Sequence, residues 1–237
     1  MSGQGAKRFW QAADVAELGN GFTVHLDGRP VKTPARAALK LPTRTMAGAI
    51  ADEWAALTDK IDPALMPLTR SANAAIDKVM PQHAEVADMI AAYGDADQTC
   101  YRAEYPDGLI ARQAAAWDPL LDWAEVRLNA RLIPVTGLMH TPQNPQALAI
   151  LSDQVHALDA FTLAAFHDLV SLSGSLIIGF AALYNLHPAA ELWRISRVDE
   201  LWQEQEWGED DEARKMAAQK ESAFLQAKIF ADLALRV

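Results

Sequence analysis

The sequence predicts an α+β fold, with a small N-terminal domain of antiparallel strands and helices over residues 1–103 and a mainly α-helical domain over residues 104–237. Two observations carry this. Phe22, Val24 and Leu26 alternate with Thr23 and His25, the period of a half-buried strand. Asp27-Gly28 follows, a favoured hairpin turn because both positions tolerate positive φ. From Pro106 onward the apolar residues recur at helical spacing instead, as in the stripe Trp117, Leu120, Leu121, Ala124 and Leu128. No fixed-period repeat and no low-complexity linker separates the halves, so the boundary near residue 104 is a change of period.

The elements follow in order. Residues 29–33 read as the return strand of the hairpin, with Pro30 placing it at an edge. Leu39 and Leu41 suggest another short strand. Thr43 suits an N-cap for a helix running to about Leu57, with Met46, Ile50, Trp54 and Leu57 on one face. Pro63 and Pro67 break the chain. A helix over 69–79 follows, and Pro81 opens another that ends near Tyr93-Gly94. Residues 99–103 read as a strand returning to the sheet. Pro106 suits a first helical turn and Asp118-Pro119 a second, so the run to Leu128 is two helices or one kinked helix. Residues 131–135 make a short strand. Helices are predicted over 145–158, 160–184, 188–207 and from 209 on, with Gly208 as the break between the last two. The run 161–184 is long enough to span a bilayer. But Asp168 near its middle would cost roughly 3 kcal/mol on insertion scales, which favours a buried helix of a soluble protein.

Composition narrows the function classes. Of 237 residues, 51% are hydrophobic and 22% charged, enough apolar content for a sizeable core and too much for long disorder. The net charge of −10 repels phosphate backbones and anionic lipid, so neither nucleic acid nor membrane is the expected partner. Cys100 is the single cysteine, so no intrachain disulfide forms, which suits a reducing compartment. The first nine residues carry no apolar signal region and no Arg-rich presequence. The expectation is a chain that stays in a bacterial cytoplasm.

Reactive groupings are sparse. The sequence has no P-loop and no GxGxxG, so no nucleotide or other cofactor is expected. The histidines show no metal-ligand spacing on one helix turn. His167-Asp168, in an apolar helix, reads as a buried polar pair. Cys100 reads as packing. The run 171–175 resembles a nucleophile elbow only loosely, lacking its first glycine, and small residues there suit close helix packing.

The sharpest local signal is acidic. Residues 198–212 include Asp199, Glu200, Glu204, Glu206, Glu209, Asp210, Asp211 and Glu212, with no Lys or Arg. Glu209 to Glu212 sit where a helix begins and favour its dipole, and a solvated face accounts for Glu204 and Glu206. Asp199 and Glu200 lie against the stripe Leu192, Ile195, Val198 and Trp202, where a carboxylate can direct a contact to a partner's Arg or Lys. Trp202 and Trp207 stand among these acids, as aromatic anchors of protein-binding surfaces do.

A set of motifs then appears in order: Lys7-Arg8-Phe9-Trp10; the hairpin from Val24 to Pro34; Glu53-Trp54; Met66-Pro67-Leu68-Thr69-Arg70; Thr99-Cys100-Tyr101-Arg102; Gln113 to Trp123; Ser196-Arg197-Val198-Asp199-Glu200; and Gln203 to Gly208. Together they resemble the assembly chaperones of the alpha subunit of the ATP synthase catalytic head, found in mitochondria and related bacteria. The resemblance runs from about residue 7 to about residue 230. It implies a small α/β domain followed by a helical domain. It implies transient binding of free alpha subunit by a monomeric chaperone until a beta subunit replaces it, without catalysis or nucleotide. Eukaryotic members work in the mitochondrial matrix. The family ties function to an acidic position in its last third, which maps here to Glu200. The expected client-binding set is Glu200, Asp199, Trp202, Gln203 and Trp207. The competing expectation is an enzyme using His167/Asp168 or Asp199/Glu200 as acid and base, in a deep pocket with shifted pKa values.

Overall fold

The computed structural model describes residues 7–137, 139–208 and 210–235; Glu209 lies outside them. The fold is α+β, with antiparallel strands first and helices dominating after residue 106. Packing divides the chain into two compact units. One holds 1–82, 159–165 and 229–237; the other holds 83–158 and 166–228.

In the first unit, β1 (Ala13–Leu18), β2 (Gly21–Leu26) and β3 (Arg29–Pro30) form an antiparallel sheet in that order. The β2–β3 turn is built as its sequence asks: Asp27 and Gly28 both take positive φ, 47° and 80°. Asp27 has a second task. Its carboxylate accepts from the backbone N–H of Gln11 and Ala12, which holds it below the usual carboxylate range. Leu39 and Leu41 form no full strand, but Leu41 exchanges two hydrogen bonds with Phe22.

Helix α1 (Arg44–Ala56) starts at Thr43, whose hydroxyl accepts from the Met46 N–H and donates to the Leu233 carbonyl. The family motifs of this unit turn out to be one set of braces. Arg8 bonds the carbonyls of Trp10 and Leu57, the Trp10 and Trp54 rings meet edge to face at 5.2 Å, and Trp10 donates to the Trp54 carbonyl. The Glu53 carboxylate accepts from the N–H groups of Leu68 and Thr69 at 2.7 and 2.8 Å. It thereby caps α2 (Pro67–Ala74), whose own N-cap residue, Met66, has no side-chain acceptor.

The second unit contains α3 (His83–Ala91), packed on α5 (Pro145–His156), and α4 (Asp107–Leu128), packed on α7 (Leu176–Leu183) and α9 (Val198–Trp207). Helix α8 (Ala189–Ser196) packs on α7. Helices α6 (Ala160–Ser173) and α10 (Asp211–Leu235) each contribute residues to both units. Pro119 lies inside α4, which runs unbroken from Asp107 to Leu128.

Further readings change, among them the strand over 131–135, of which only Val135 is extended. Only Tyr101–Arg102 of the run 99–103 is extended (β4). It does not return to the first sheet but pairs in parallel with β5 (Val135–Thr136). The cause is Asp97, whose carboxylate caps a turn over 98–100. The run 160–184 is two helices, because Gly174 takes φ +69° and Ser175 begins a new helix by accepting from the Ile178 N–H. The run 188–207 is also two, α8 and α9, meeting at Arg197, whose backbone leaves helical geometry. His167 and Asp168 bond each other at 2.9 Å but are not buried; their side chains are 40% and 52% exposed. No helix among the described residues is long and apolar enough to cross a membrane.

Candidate functional site

The five expected client-binding residues lie on α9, and at 100° per residue they divide over its faces. Asp199 and Gln203, four apart, share one face. Glu200 and Trp207, seven apart, share another. Trp202 lies between the first face and the one that packs on α4.

Trp202 is seated by a glycine. Its ring lies so close to Gly108, in the first turn of α4, that a Cβ there would stand 2.7 Å from the indole Cη2. Arg112, one turn along α4, covers the same ring at 4.9 Å and donates to Gln205 at 2.8 Å. Between α4, α8 and α9 runs a groove of about 480 Å³, lined by Ala116, Ile195, Val198 and Leu201 with Arg112 and Arg194 at its edges.

Asp199 and Gln203 line a larger cleft of about 600 Å³, bounded by β4 and the following loop, the start of α4 and Gly137. The orientation of Asp199 is set by Gln113 of α4. This side chain is only 2% exposed. It donates to Asp199 Oδ1 at 2.7 Å and accepts from the Ala103 N–H at 2.8 Å, so one buried amide ties three elements. Arg102 also borders the cleft, and its guanidinium is committed elsewhere. It donates to the Thr99 carbonyl, pairs with Asp118 at 2.7 Å, and lies 5.4 Å from the centre of the Trp117 ring. Trp117 is fully buried and donates to the Ile195 carbonyl.

Glu200 takes its partner from its own helix end. Arg197 donates to its Oε1 at 2.6 Å and lies over Trp193, which meets Phe224 at 5.7 Å. Its other oxygen, Oε2, is buried without a hydrogen-bond partner. Trp207, at the end of α9, is 80% exposed. The structure thus brings Asp199 and Gln203 into one cleft, seats Trp202 beside it, and sets Glu200 and Trp207 on a separate face. Gln113 was not singled out from sequence, although its motif was. Its signal was a polar residue one turn before Trp117 in an apolar stripe.

Of the acid–base alternatives, His167 and Asp168 do pair, but away from these clefts, and Asp199 and Glu200 do not pair with each other. Asp199 and Glu200 turn to different partners, and neither His167 nor Asp168 lines the clefts above. The Asp168 carboxylate raises the His167 pKa, as a surface partner does. Among the described residues no group of His, Cys, Asp and Glu is placed to hold a metal ion. Cys100 is buried, and burial, then the Asp97 charge, push its thiol up to about 12. A thiol is nucleophilic only as thiolate. Iodoacetamide should therefore leave Cys100 unlabelled in the native protein and label it once urea unfolds the chain, as read by intact mass. Rapid native labelling would show that the 98–100 turn opens.

The model of the ATP12 chaperone protein family matches residues 7–125. Protein atp12, mitochondrial, of Schizosaccharomyces pombe is 23% identical over 222 residues, covering 89% of this chain and 76% of its own length. The crystal structure of Atp12 from Paracoccus denitrificans matches at a TM-score of 0.95 and 44% identity, over 97% of this chain and 98% of that one. An aspartate-to-lysine mutant of the P. denitrificans protein matches with the same figures. The Atu1473 protein of Agrobacterium tumefaciens matches at 0.91 and 37% identity, over 97% and 86%. With the family model covering half its length and close structural relatives covering nearly all of it, this chain belongs to the ATP12 chaperone family, the assembly chaperones that its motifs resemble.

Proposed function

We propose that this protein is an ATP-independent chaperone that binds the unassembled alpha subunit of F-type ATP synthase, keeps it from aggregating, and yields it to the beta subunit. The helical part of the chain from residue 104 on would carry the client-binding face, with the protein acting as a monomer without catalysis in a bacterial cytoplasm. The observation that carries the reading is α9. One short helix presents an oriented Asp199 and Gln203 to an open cleft, seats Trp202 beside it, and exposes Trp207 on another face. Apolar anchors with a polar rim are what reversible protein contacts use. Release then needs only a competing surface, not a fuel.

The first test is co-expression of the tagged protein with alpha and beta subunits. Free alpha should be captured, and supplied beta should displace it. Capture of neither by folded protein would sink the reading. Retention of the chain in the finished enzyme complex would make it a subunit, not a chaperone.

The Glu200→Lys variant tests the residue assignment. It replaces a pair with Arg197 by two like charges, and for side chains 38% and 20% exposed the stability effect should stay near 1 kcal/mol or below. In the P. denitrificans relative an aspartate-to-lysine change leaves the fold in place, since mutant and parent match this chain equally well. Client affinity should fall by about tenfold or more, ~1.4 kcal/mol, with the melting temperature nearly unchanged. Normal binding, or unfolding, would remove Glu200 from the contact.

A further inference from the structure

We propose that the cleft between β4, the start of α4 and α9 receives a cationic side chain of the bound protein, and that Asp199 is the group that takes it. Arginine is the better match.

The argument starts from charge that is fixed in place and left over. Asp199 accepts from Gln113 through Oδ1 only; among the described residues nothing donates to its Oδ2. Gln113 is held at both ends of its amide, so the half-buried carboxylate has its direction set before any ligand arrives. A partly desolvated carboxylate without a counter-charge is unfavourable. The basic residue of the lining, Arg102, pairs with Asp118 and donates to the Thr99 carbonyl.

The second carboxylate of the lining is Glu104. It rests against Gly137, with Oε1 2.8 Å from where a Cβ would stand, so the glycine makes room for it. Among the described residues Glu104 has no basic partner either. Tyr101 and Tyr105 complete this side, and Tyr105 is 80% exposed. Carboxylates with aromatic rings form the surroundings that a guanidinium favours, because its planar fork bonds oxygens in the plane and its weakly hydrated face stacks on rings. A cleft of about 600 Å³ has room for the whole arginine side chain with backbone at its mouth. Two carboxylates against one arginine that is already paired with Asp118 favour a cationic occupant over an anionic one. The two tyrosines and the preset carboxylate favour a side chain over a freely hydrated ion.

The inference names the chemistry of the contact proposed above, and only its client rests on that reading. A small probe separates the two. The full chain, followed by ¹H–¹⁵N NMR, is titrated with N-acetyl-arginine amide and, in parallel, with N-acetyl-citrulline amide, which has the same shape and no charge. The Gln113 side-chain amide and the Gly137 backbone amide should shift saturably with the arginine probe and not with the citrulline one. Asp199→Asn should weaken arginine binding by about tenfold or more; this variant keeps the acceptor that Gln113 needs, so the fold should persist. Equal shifts from both probes, no shift from either, or undiminished binding by Asp199→Asn overturns the proposal. Capture of alpha subunit adds a separate readout. If Asp199→Asn captures alpha as well as the parent does, the cleft is not the client's arginine site and the chaperone reading stands. If the parent captures no alpha, that reading fails while the probe result still decides the cleft.

Discussion

Replacing Asp97 by alanine should destabilise the protein by about 3 kcal/mol. Asp97 is completely enclosed, 1% exposed. Its Oδ1 accepts from the Thr99 N–H and hydroxyl at 2.9 and 2.7 Å, and its Oδ2 from the Ile177 N–H at 3.0 Å. One carboxylate therefore holds the turn before β4 to the first turn of α7, where backbone N–H groups have no helical partner. Truncation strands three buried donors, each costing about 1–3 kcal/mol, partly offset because a charge no longer has to be buried. Nearby bonds do not replace it: Gln98 donates through its backbone to Gly174 and through its side chain to Ser196, and neither reaches Ile177. Urea unfolding of parent and variant is the check. A loss below about 1 kcal/mol would mean that the tie is dispensable.

The same residue gives a pH signature. Burial is the largest influence on Asp97 and raises its pKa above the ordinary 3.8, against the hydrogen bonds that lower it. A raised carboxylate binds its proton more tightly folded than unfolded. Its contribution thus favours the native state at low pH and declines as pH rises from 3.8 through the folded value. Asp27 and Asp95 are shifted down by backbone N–H bonds and contribute the opposite slope. They cancel when parent and Asp97→Asn are compared at each pH. The stability gap between the two should narrow as pH rises across that window.

Asp97 also shows why the second unit was only partly legible in the sequence. The hairpin turn at Asp27-Gly28 could be read because backbone angles and residue types determine it locally. The helical stripe through Trp117 to Leu128 was equally plain, and Pro119 did not interrupt it because packing on α7 and α9 outweighs one missing backbone bond. The break at Gly174 was missed because the small residues of 171–175 were read as close helix packing, and the break at Arg197 has neither Gly nor Pro to mark it. Strand β1, Ala13–Leu18, was missed because its β-formers are few and an aspartate and a glutamate lie within it. Residues 97–102 are held both by the local cap from Asp97 to Thr99 and by a bond from Asp97 to a residue 80 positions away, and no local pattern encodes the second. The site divides the same way. Asp199 stood out as a carboxylate beside an apolar stripe, and Gln203 entered only with the motif from Gln203 to Gly208. Gln113 did not, because its role depends on Ala103 and Asp199 arriving at its two ends.

Gly108→Leu should have the second large effect, and chiefly on function. Glycine in the first turn of a helix is ordinarily improvable, and substitution would gain up to about 1 kcal/mol in helix propensity. Here that gain is blocked. A Cβ at residue 108 would lie 2.7 Å from Cη2 and 3.2 Å from Cζ3 of Trp202, well inside van der Waals contact. A rigid indole stacked under Arg112 cannot turn away by one torsion without giving up the cation–π contact at 4.9 Å. Leucine adds three more carbons in the same direction, so α9 must shift or Trp202 must leave its seat. Overpacking of this kind costs about 1–3 kcal/mol. The helix that moves is the one that carries Asp199 into the cleft, so the Gln113–Asp199 bond should loosen with it. The expected outcome is a moderate drop in stability, a shift of the Trp202 indole N–H resonance, and a loss of client capture larger than the stability change explains. Gly108→Ala should show the same changes in smaller degree, because it adds the Cβ alone. If Gly108→Leu leaves both the Trp202 resonance and client capture unchanged, the seat of Trp202 does not position α9. The link drawn from a small residue on α4 to the carboxylate on α9 would then be broken.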